Sequence, residues 1–411
     1  MRSIELLAPA KTADIGIEAI KHGADAVYIG AQAFGARAAA GNSIEDIARL
    51  TAYAHLFKAR VYATVNTIIY EDDLPLMRRI CDAARAAGVT AIIAADVAVL
   101  AYCHDIGQEV HLSTQLNISN TEALRFYARY ADVVVLAREL NLDQVAQIHR
   151  CIVSENLCGP SGRPVRIEMF CHGALCMAVS GKCYLSLHNL GHSANRGECM
   201  QVCRRSYTVR DRETGVELDV DNKYIMSPKD LKTIGFLDRM VQAGVSVFKI
   251  EGRARSAEYV YTVVRCYKEA LAAVADGTFS AEKVKVWDER LGSVFNRGFW
   301  DGYYLGQRLG EWSATYGSSA TEHKEYVGKG LKYFSRLGVG EFLIEAGQIN
   351  CGDRLLVIGP TTGALYITAA EMHLDRGPTQ QAVKGQTVAI KVDAKIRPSD
   401  KLYRLVRNTP R

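Results

Sequence analysis

The chain has 411 residues, 48% of them hydrophobic and 23% charged, which excludes wholesale disorder and allows two or three domains. Its net charge of +5 permits an acidic partner such as RNA without demanding one. The N-terminal run MRSIELLAPAK is broken by charge at Lys11 and Asp14, and no stretch of eighteen apolar residues follows, so a soluble cytoplasmic protein without a membrane partner is expected.

Short β-branched runs alternate with helical stretches through the first 255 residues. Strands are expected at Ile4–Ala8, Asp25–Gly30, Arg60–Asn66, Thr90–Ala94, Glu109–Ser113, Asp132–Leu136, Arg166–Phe170 and Ser246–Glu251. Phrases such as GADAVYIG and YADVVVLARE place a continuous apolar run after a small residue, as suits a parallel sheet covered by helices. Helix starts are marked at Ser43 with Asp46, at Asn141 with Gln144, and at Ser227-Pro228 ahead of KDLKTIGFLDRM. Eight such units predict a (βα)8 TIM-like barrel, with an open doubly wound sheet as the competitor. The rhythm breaks between the seventh and eighth strands, where residues 171–227 form a cysteine-rich insertion. The predicted organisation is a barrel over 1–276, a helical and aromatic connection over 277–321, and a small antiparallel β-barrel over 322–411.

Eleven cysteines are many for a reducing compartment, where a disulfide framework is not expected. Cys81, Cys103 and Cys266 fall on apolar helix faces and read as core, while Cys151, Cys158 and Cys351 have no partner spacing. Cys176, Cys183, Cys199 and Cys203 are different: they lie within 28 residues, separated by six, fifteen and three residues, in a glycine-rich segment. Four thiolates satisfy either a zinc ion or an iron–sulfur cluster, and the irregular intervals favour a cluster over paired zinc knuckles. Polar residues expected at the carboxyl ends of the strands include Asn66, Gln115, Asn117, Glu168, His172, Lys249, Glu251 and Arg253, with Arg204 in the cysteine segment. Carboxyl strand ends carry the chemistry in such barrels. Glu168, His172, Lys249 and Glu251 are the candidates for catalysis. Asn66, Gln115, Asn117, Arg204 and Arg253 are the candidates for binding substrate.

The segment closely resembles the collagenase-like peptidases, peptidase family U thirty-two. The likeness rests on Glu168, Phe170, Gly173, Ala174, Leu175, Cys176, Gly181, Cys183 and Ser186, then on NRGEC, CR, YIMSPKDL and VFKIEGRARSAEYV. Within that family it is similar to bacterial proteins required for 5-hydroxyuridine formation at the tRNA wobble position. The resemblance implies a 4Fe–4S cluster held by Cys176, Cys183 and Cys199. The resemblance makes Cys203 the natural fourth ligand, although some quinone-pathway relatives take theirs where this chain has SPKDL, which contains no cysteine. It further implies oxygen-independent hydroxylation of RNA, with the tRNA anticodon region as partner, an electron-donor system, and prephenate, a small dicarboxylate, as co-substrate. The C-terminal segments INCGDRLLVIGPTTG and AVKGQTVAIKV look like the β-barrel of translation factors, which contacts RNA. Two other readings stand beside this one: a peptidase, for which neither HExxH nor G-x-S-x-G is present, and a hydroxylase of a small aromatic substrate.

Overall fold

The computed structural model describes residues 4–31, 33–35, 41–208, 210–215, 226–252, 255–307, 310–314, 317–375 and 377–408. Seven strands, β1 (Glu5–Ala10), β2 (Ala26–Gly30), β3 (Arg60–Val65), β4 (Ala91–Ala94), β5 (Glu109–Leu112), β6 (Val133–Val135) and β7 (Arg166–Gly173), pair in sequence order, all parallel. A short strand, β8 (Asp230–Lys232), precedes β9 (Val245–Ile250). Strand β9 pairs parallel with both β7 and β1 and closes an eight-stranded barrel. The predicted TIM-like fold is therefore present, with strand boundaries within a residue or two of expectation except for β7, which runs on to Gly173.

Local chemistry explains the helices that separate these strands. Ser43 caps α2 (Ile44–Leu56) in a capping box with Asp46, and Asn141 does the same with Gln144 for α6 (Leu142–Ser154). The expected helix at Ser227-Pro228 is not formed. Pro228 bridges to Trp312, the Lys229 and Asp230 amides donate to Glu311 and Gly298, and β8 lies antiparallel against the end of β7. Asp230 is buried with Arg297 at 3.3 Å and Arg255 at 3.9 Å. These tertiary partners hold the segment extended against its local helix signal, and the next helix spans only Leu237–Gln242.

The barrel interior is layered. Leu7, Tyr28, Tyr62, Ile93, Val133 and Val247 form its apolar core. Beneath them the fully buried Glu5 receives the Tyr62 hydroxyl at 2.6 Å, Arg60 at 2.9 Å and Arg166 at 3.0 Å. Cys81, Cys103 and Cys266 are all buried, as the sequence pattern predicts.

Contacts divide the chain into two units, one of residues 1–255, 263–289 and 296–319, the other of 256–262, 290–295 and 320–411. The second contains an eight-stranded antiparallel sheet and a two-stranded ribbon. Alternating residues of its strands, among them Val327, Phe342, Leu355, Val388, Ile390 and Leu402, point into one core.

Replacing Glu5 by alanine leaves two guanidinium groups facing into the barrel without their counter-ion. The expected cost is about 3 kcal/mol, read as a lower thermal unfolding midpoint; a midpoint equal to that of the parent chain contradicts this account of the barrel floor.

Candidate active site

A cavity of about 170 Å³ opens at the carboxyl ends of the barrel strands. Its apolar wall includes Tyr28, Ile93, Phe170, Leu175 and Leu185, and its polar wall includes Asn66, Ser113, Gln115, Lys249 and Glu251. The rest is supplied by the cysteine insertion, with Cys176, Cys183, Cys199, Cys203 and Arg204 all on the lining. Five of the predicted polar site residues and all four cysteines are separate signals in the sequence; folding brings Asn66, Gln115, Lys249, Glu251, Arg204 and the thiols to one place.

The insertion is pinned to the barrel by arginines. Arg204 donates to the Leu175 carbonyl at 2.6 Å and to Ser227 and Pro228 at 3.2 Å. Arg196 pairs with Asp73, donates to the Ile68 carbonyl at 2.9 Å and lies 4.3 Å from the centre of the Tyr70 ring. Asp73 is held below the usual carboxylate range chiefly by its hydrogen bond from Arg196. Gly181, at φ +75°, lies over Gln115 so closely that a Cβ there would sit 2.7 Å from the amide. Gly173, at φ +105°, has the Glu251 carbonyl in the same relation at 2.4 Å. The thiols are partly or fully exposed rather than packed away: Cys176 is exposed and the other three are half-buried. Burial pushes the Cys203 thiol up, Arg204 pulls it down, and the neighbouring Cys176, Cys199 and Cys183 push it up again.

Below the cavity, Lys249 donates to Glu168 at 2.7 Å, and its ammonium lies 4.7 Å from the Tyr28 ring centre. Glu168 is fully buried and does not line the cavity. Lys249 and Glu251 both line the cavity, and Glu168 is an ion-pair partner of Lys249. Asn66 donates to the Ser113 hydroxyl at 3.1 Å.

Two predicted residues lie elsewhere. Asn117 ends the turn Thr114–Leu116 in the left-handed conformation at φ 56°, a role suited to asparagine, and is not on the cavity wall. His172 also lies off the wall. Simple alternation would set it beside Glu168 and Phe170, but β7 changes register against β9 between Phe170 and His172. That bulge turns the imidazole outward, where Nδ1 lies 3.3 Å from the Tyr267 hydroxyl and the ring packs near Phe299. Burial, with Lys232 and Arg255 nearby, lowers its pKa to about 3, so it is neutral and is no proton shuttle at neutral pH. Arg253 lies outside the described residues.

One cavity residue was missed by sequence reading. Arg138, just beyond β6, lines the cavity with its guanidinium carbon 3.9 Å from the Phe170 ring centre. It donates to the Ala174 carbonyl at 3.3 Å. The phrase VVVLARE held the signal, since an arginine three residues past a barrel strand falls at the mouth.

His172 gives a pH prediction. Because its folded pKa is below the unfolded value, the unfolded chain binds more protons between about pH 3 and 6.5. Stability therefore falls as pH drops through that window, by up to about 1.4 kcal/mol per unit. His172→Gln is expected to lose less of its thermal midpoint between pH 7 and 5 than the parent. Equal losses would remove His172 from the account.

Comparison with known proteins follows the same outline. Residues 11–314 match the model of Peptidase family U32. The chain is 59% identical to a protein named collagenase from Porphyromonas gingivalis over 406 residues, covering 98% of each chain. It is 39% identical to the 23S rRNA 5-hydroxycytidine C2501 synthase of Escherichia coli over 397 residues, which are 96% of this chain and 53% of that one. It is 33% identical to the tRNA hydroxylation protein P1 of Bacillus subtilis over 414 residues, or 96% and 93% of the two chains. The match to the family model and near-full-length identity to its relatives agree with the barrel and its cysteine-lined mouth: this chain belongs to peptidase family U32.

Proposed function

We propose that this protein is an RNA-modifying enzyme that hydroxylates a pyrimidine base, the wobble uridine of tRNA, in the cytoplasm without using O2. The observation that carries the reading is the convergence of four thiols with the Asn66 and Gln115 amides on one small cavity. The donor set fits an iron–sulfur cluster. The thiols face one space and are not locked in the core, and burial together with the neighbouring thiols pushes the Cys203 thiol up, a cost that bound iron would relieve. Each of the four thiolates would bind one iron of a 4Fe–4S cluster. Cys176, Cys183, Cys199 and Cys203 would hold the cluster, which when bound supplies electron transfer or a Lewis-acidic iron.

The remaining chemistry belongs to the barrel. A base flipped from a flexible anticodon loop meets an apolar wall for its ring face and amides for its polar edge, and loops give up stacking cheaply. Asn66 and Gln115 orient that edge. Glu251 is the cavity carboxylate placed to take the proton that leaves carbon when C–H becomes C–OH. Lys249, fixed by Glu168, keeps a positive charge under the reacting ring. The oxygen and the oxidising equivalents come from a co-substrate, for which prephenate is our candidate. Charge supports an RNA partner: residues 320–411 carry 14 Lys and Arg against 9 Asp and Glu, so the whole net charge of +5 resides there and the first 319 residues balance. Relatives named for tRNA and rRNA hydroxylation support the same class of substrate.

The second reading is a peptidase, favoured by the 59% identical relative named collagenase. The three acid–base candidates are not assembled for hydrolysis: Glu168 is bound to Lys249 beneath the cavity, His172 faces outward and is neutral, and of the three Glu251 alone reaches the wall.

Anaerobic purification is expected to yield about four irons and four sulfides per chain, with loss of both in Cys176→Ala. Stoichiometric zinc without sulfide would overturn the cluster. In a deletion strain the nucleosides of total tRNA are expected to lose 5-hydroxyuridine. Unchanged tRNA together with gelatin cleavage by the purified protein would move the assignment to the peptidase.

A further inference from the structure

Four ionisable side chains line up through the barrel interior, and hydroxylation as proposed uses only the upper two. Glu109, the first residue of β5, reaches solvent at the amino-terminal face of the barrel with 27% of its side chain exposed. Its carboxylate lies 3.2 Å from Nε2 of the fully buried His111. Nδ1 of His111 faces Oε2 of the fully buried Glu168 at 3.9 Å. The other oxygen of Glu168 receives Lys249 at 2.7 Å, and Lys249 lines the cavity at the opposite end of the barrel.

The middle contact lacks one proton. A carboxylate only accepts, so Glu109 fixes Nε2 of His111 as the donor and leaves Nδ1 as a bare acceptor. That acceptor faces a carboxylate oxygen, and neither atom has a hydrogen-bond partner among the described residues. Two buried acceptors set against each other cost free energy that a single proton between them recovers, as a charge-assisted hydrogen bond. Tyr62, whose ring centre is 4.3 Å from that of His111, gives its hydroxyl to Glu5 and does not supply that proton.

We propose that Glu109, His111, Glu168 and Lys249 form a proton path through the barrel, connecting solvent at its amino-terminal face to the floor of the cavity. Lys249 passes a proton to Glu168 and takes one from the cavity. Glu168 passes its proton to Nδ1 of His111, and His111 releases the Nε2 proton to Glu109, which yields it to water. When the imidazole and the carboxyl return to their starting forms, one proton has left the cavity and every group has its original charge. The inference rests on the hydroxylation reading, in which C–H becomes C–OH and a proton has to leave a cavity whose mouth is filled by the base.

Hydrogen exchange of the His111 ring proton tests the path without turnover. The full-length chain is prepared anaerobically with isotopically labelled histidine, and the His111 signal is assigned by its contact with the Tyr62 ring. Exchange with water is expected at least about a hundredfold faster than that of the flanking Val110 and Leu112 amides, because the barrel need not open. Glu109→Gln keeps an acceptor for Nε2 but cannot pass a proton on, and is expected to slow ring exchange at least about tenfold. Adding Glu168→Gln with Lys249→Met removes the upper pair together, so neither charge is stranded, and is expected to slow exchange to the rate of the amides. Ring exchange no faster than the amides in the parent chain, or an unchanged rate in Glu109→Gln, would overturn the proposal without reliance on the triple variant. In tRNA hydroxylation, Glu109→Gln is expected to lower kcat about tenfold and leave KM unchanged, since Glu109 lies at the far end of the barrel from the substrate. An unchanged kcat would equally overturn the path. A parent chain that exchanges as expected but leaves tRNA unmodified would overturn the RNA reading alone, so the two failures are distinct.

Discussion

The ion pair between Lys249 and Glu168 joins the two strands that close the barrel, at a point where the glutamate is fully shielded and the lysine nearly so. Two charges taken out of water repay their desolvation only when the geometry is good, and removal of either leaves the other stranded at a large cost. The pair therefore ties the register of β7 against β9 to the position of the cavity floor. Lys249 reaches the cavity from below while Glu168 stays hidden. The site is thus provided with a positive charge whose counter-ion does not compete for the ligand.

Above that pair, β7 does something a regular strand does not. It bulges at Cys171, whose carbonyl is held by the Tyr267 hydroxyl at 2.7 Å and the Thr233 hydroxyl at 3.0 Å. The chain then turns through Gly173, against the Glu251 carbonyl, into the cysteine insertion. The first residues of the insertion have their carbonyls held by Arg138 and Arg204, immediately before Cys176. A loop that is irregular over most of its length is thereby anchored at its start, and Arg196 anchors it again near its middle. Anchoring at several points is what lets side chains on a loop keep fixed positions for chemistry.

The family name and the cavity point toward different chemistry. Hydrolysis of a peptide asks for an activated nucleophile or water beside a base, and the glutamate and histidine nearest the insertion are occupied in the barrel's own structure. The wall itself combines four thiols with an apolar face and the Asn66 and Gln115 amides, a composition suited to holding a flat, partly polar ligand. The net positive charge of the chain is concentrated in residues 320–411, whereas the first 319 residues are balanced.

Much was legible from residues alone. Buried apolar strands and capping boxes are local signals, so the eight βα units, the starts of α2 and α6, and the alternating strands of the C-terminal region could be placed without coordinates. Four cysteines in a glycine-rich segment stood out as one cluster, and all four line the same cavity. Tertiary structure alone decided the rest. SPKDL reads as a helix start, yet Trp312, Glu311 and Gly298 hold it extended. His172 reads as a mouth residue, yet one bulge reverses its side. Lys249 finds Glu168, 81 residues away, as an ion-pair partner, and Arg138 becomes a cavity residue only when Phe170 and Ala174 come to it. The physical reason is common to all four: local signals fix which backbone states are favoured, whereas side-chain partners distant in sequence and single-residue shifts in strand register are settled only when the barrel closes.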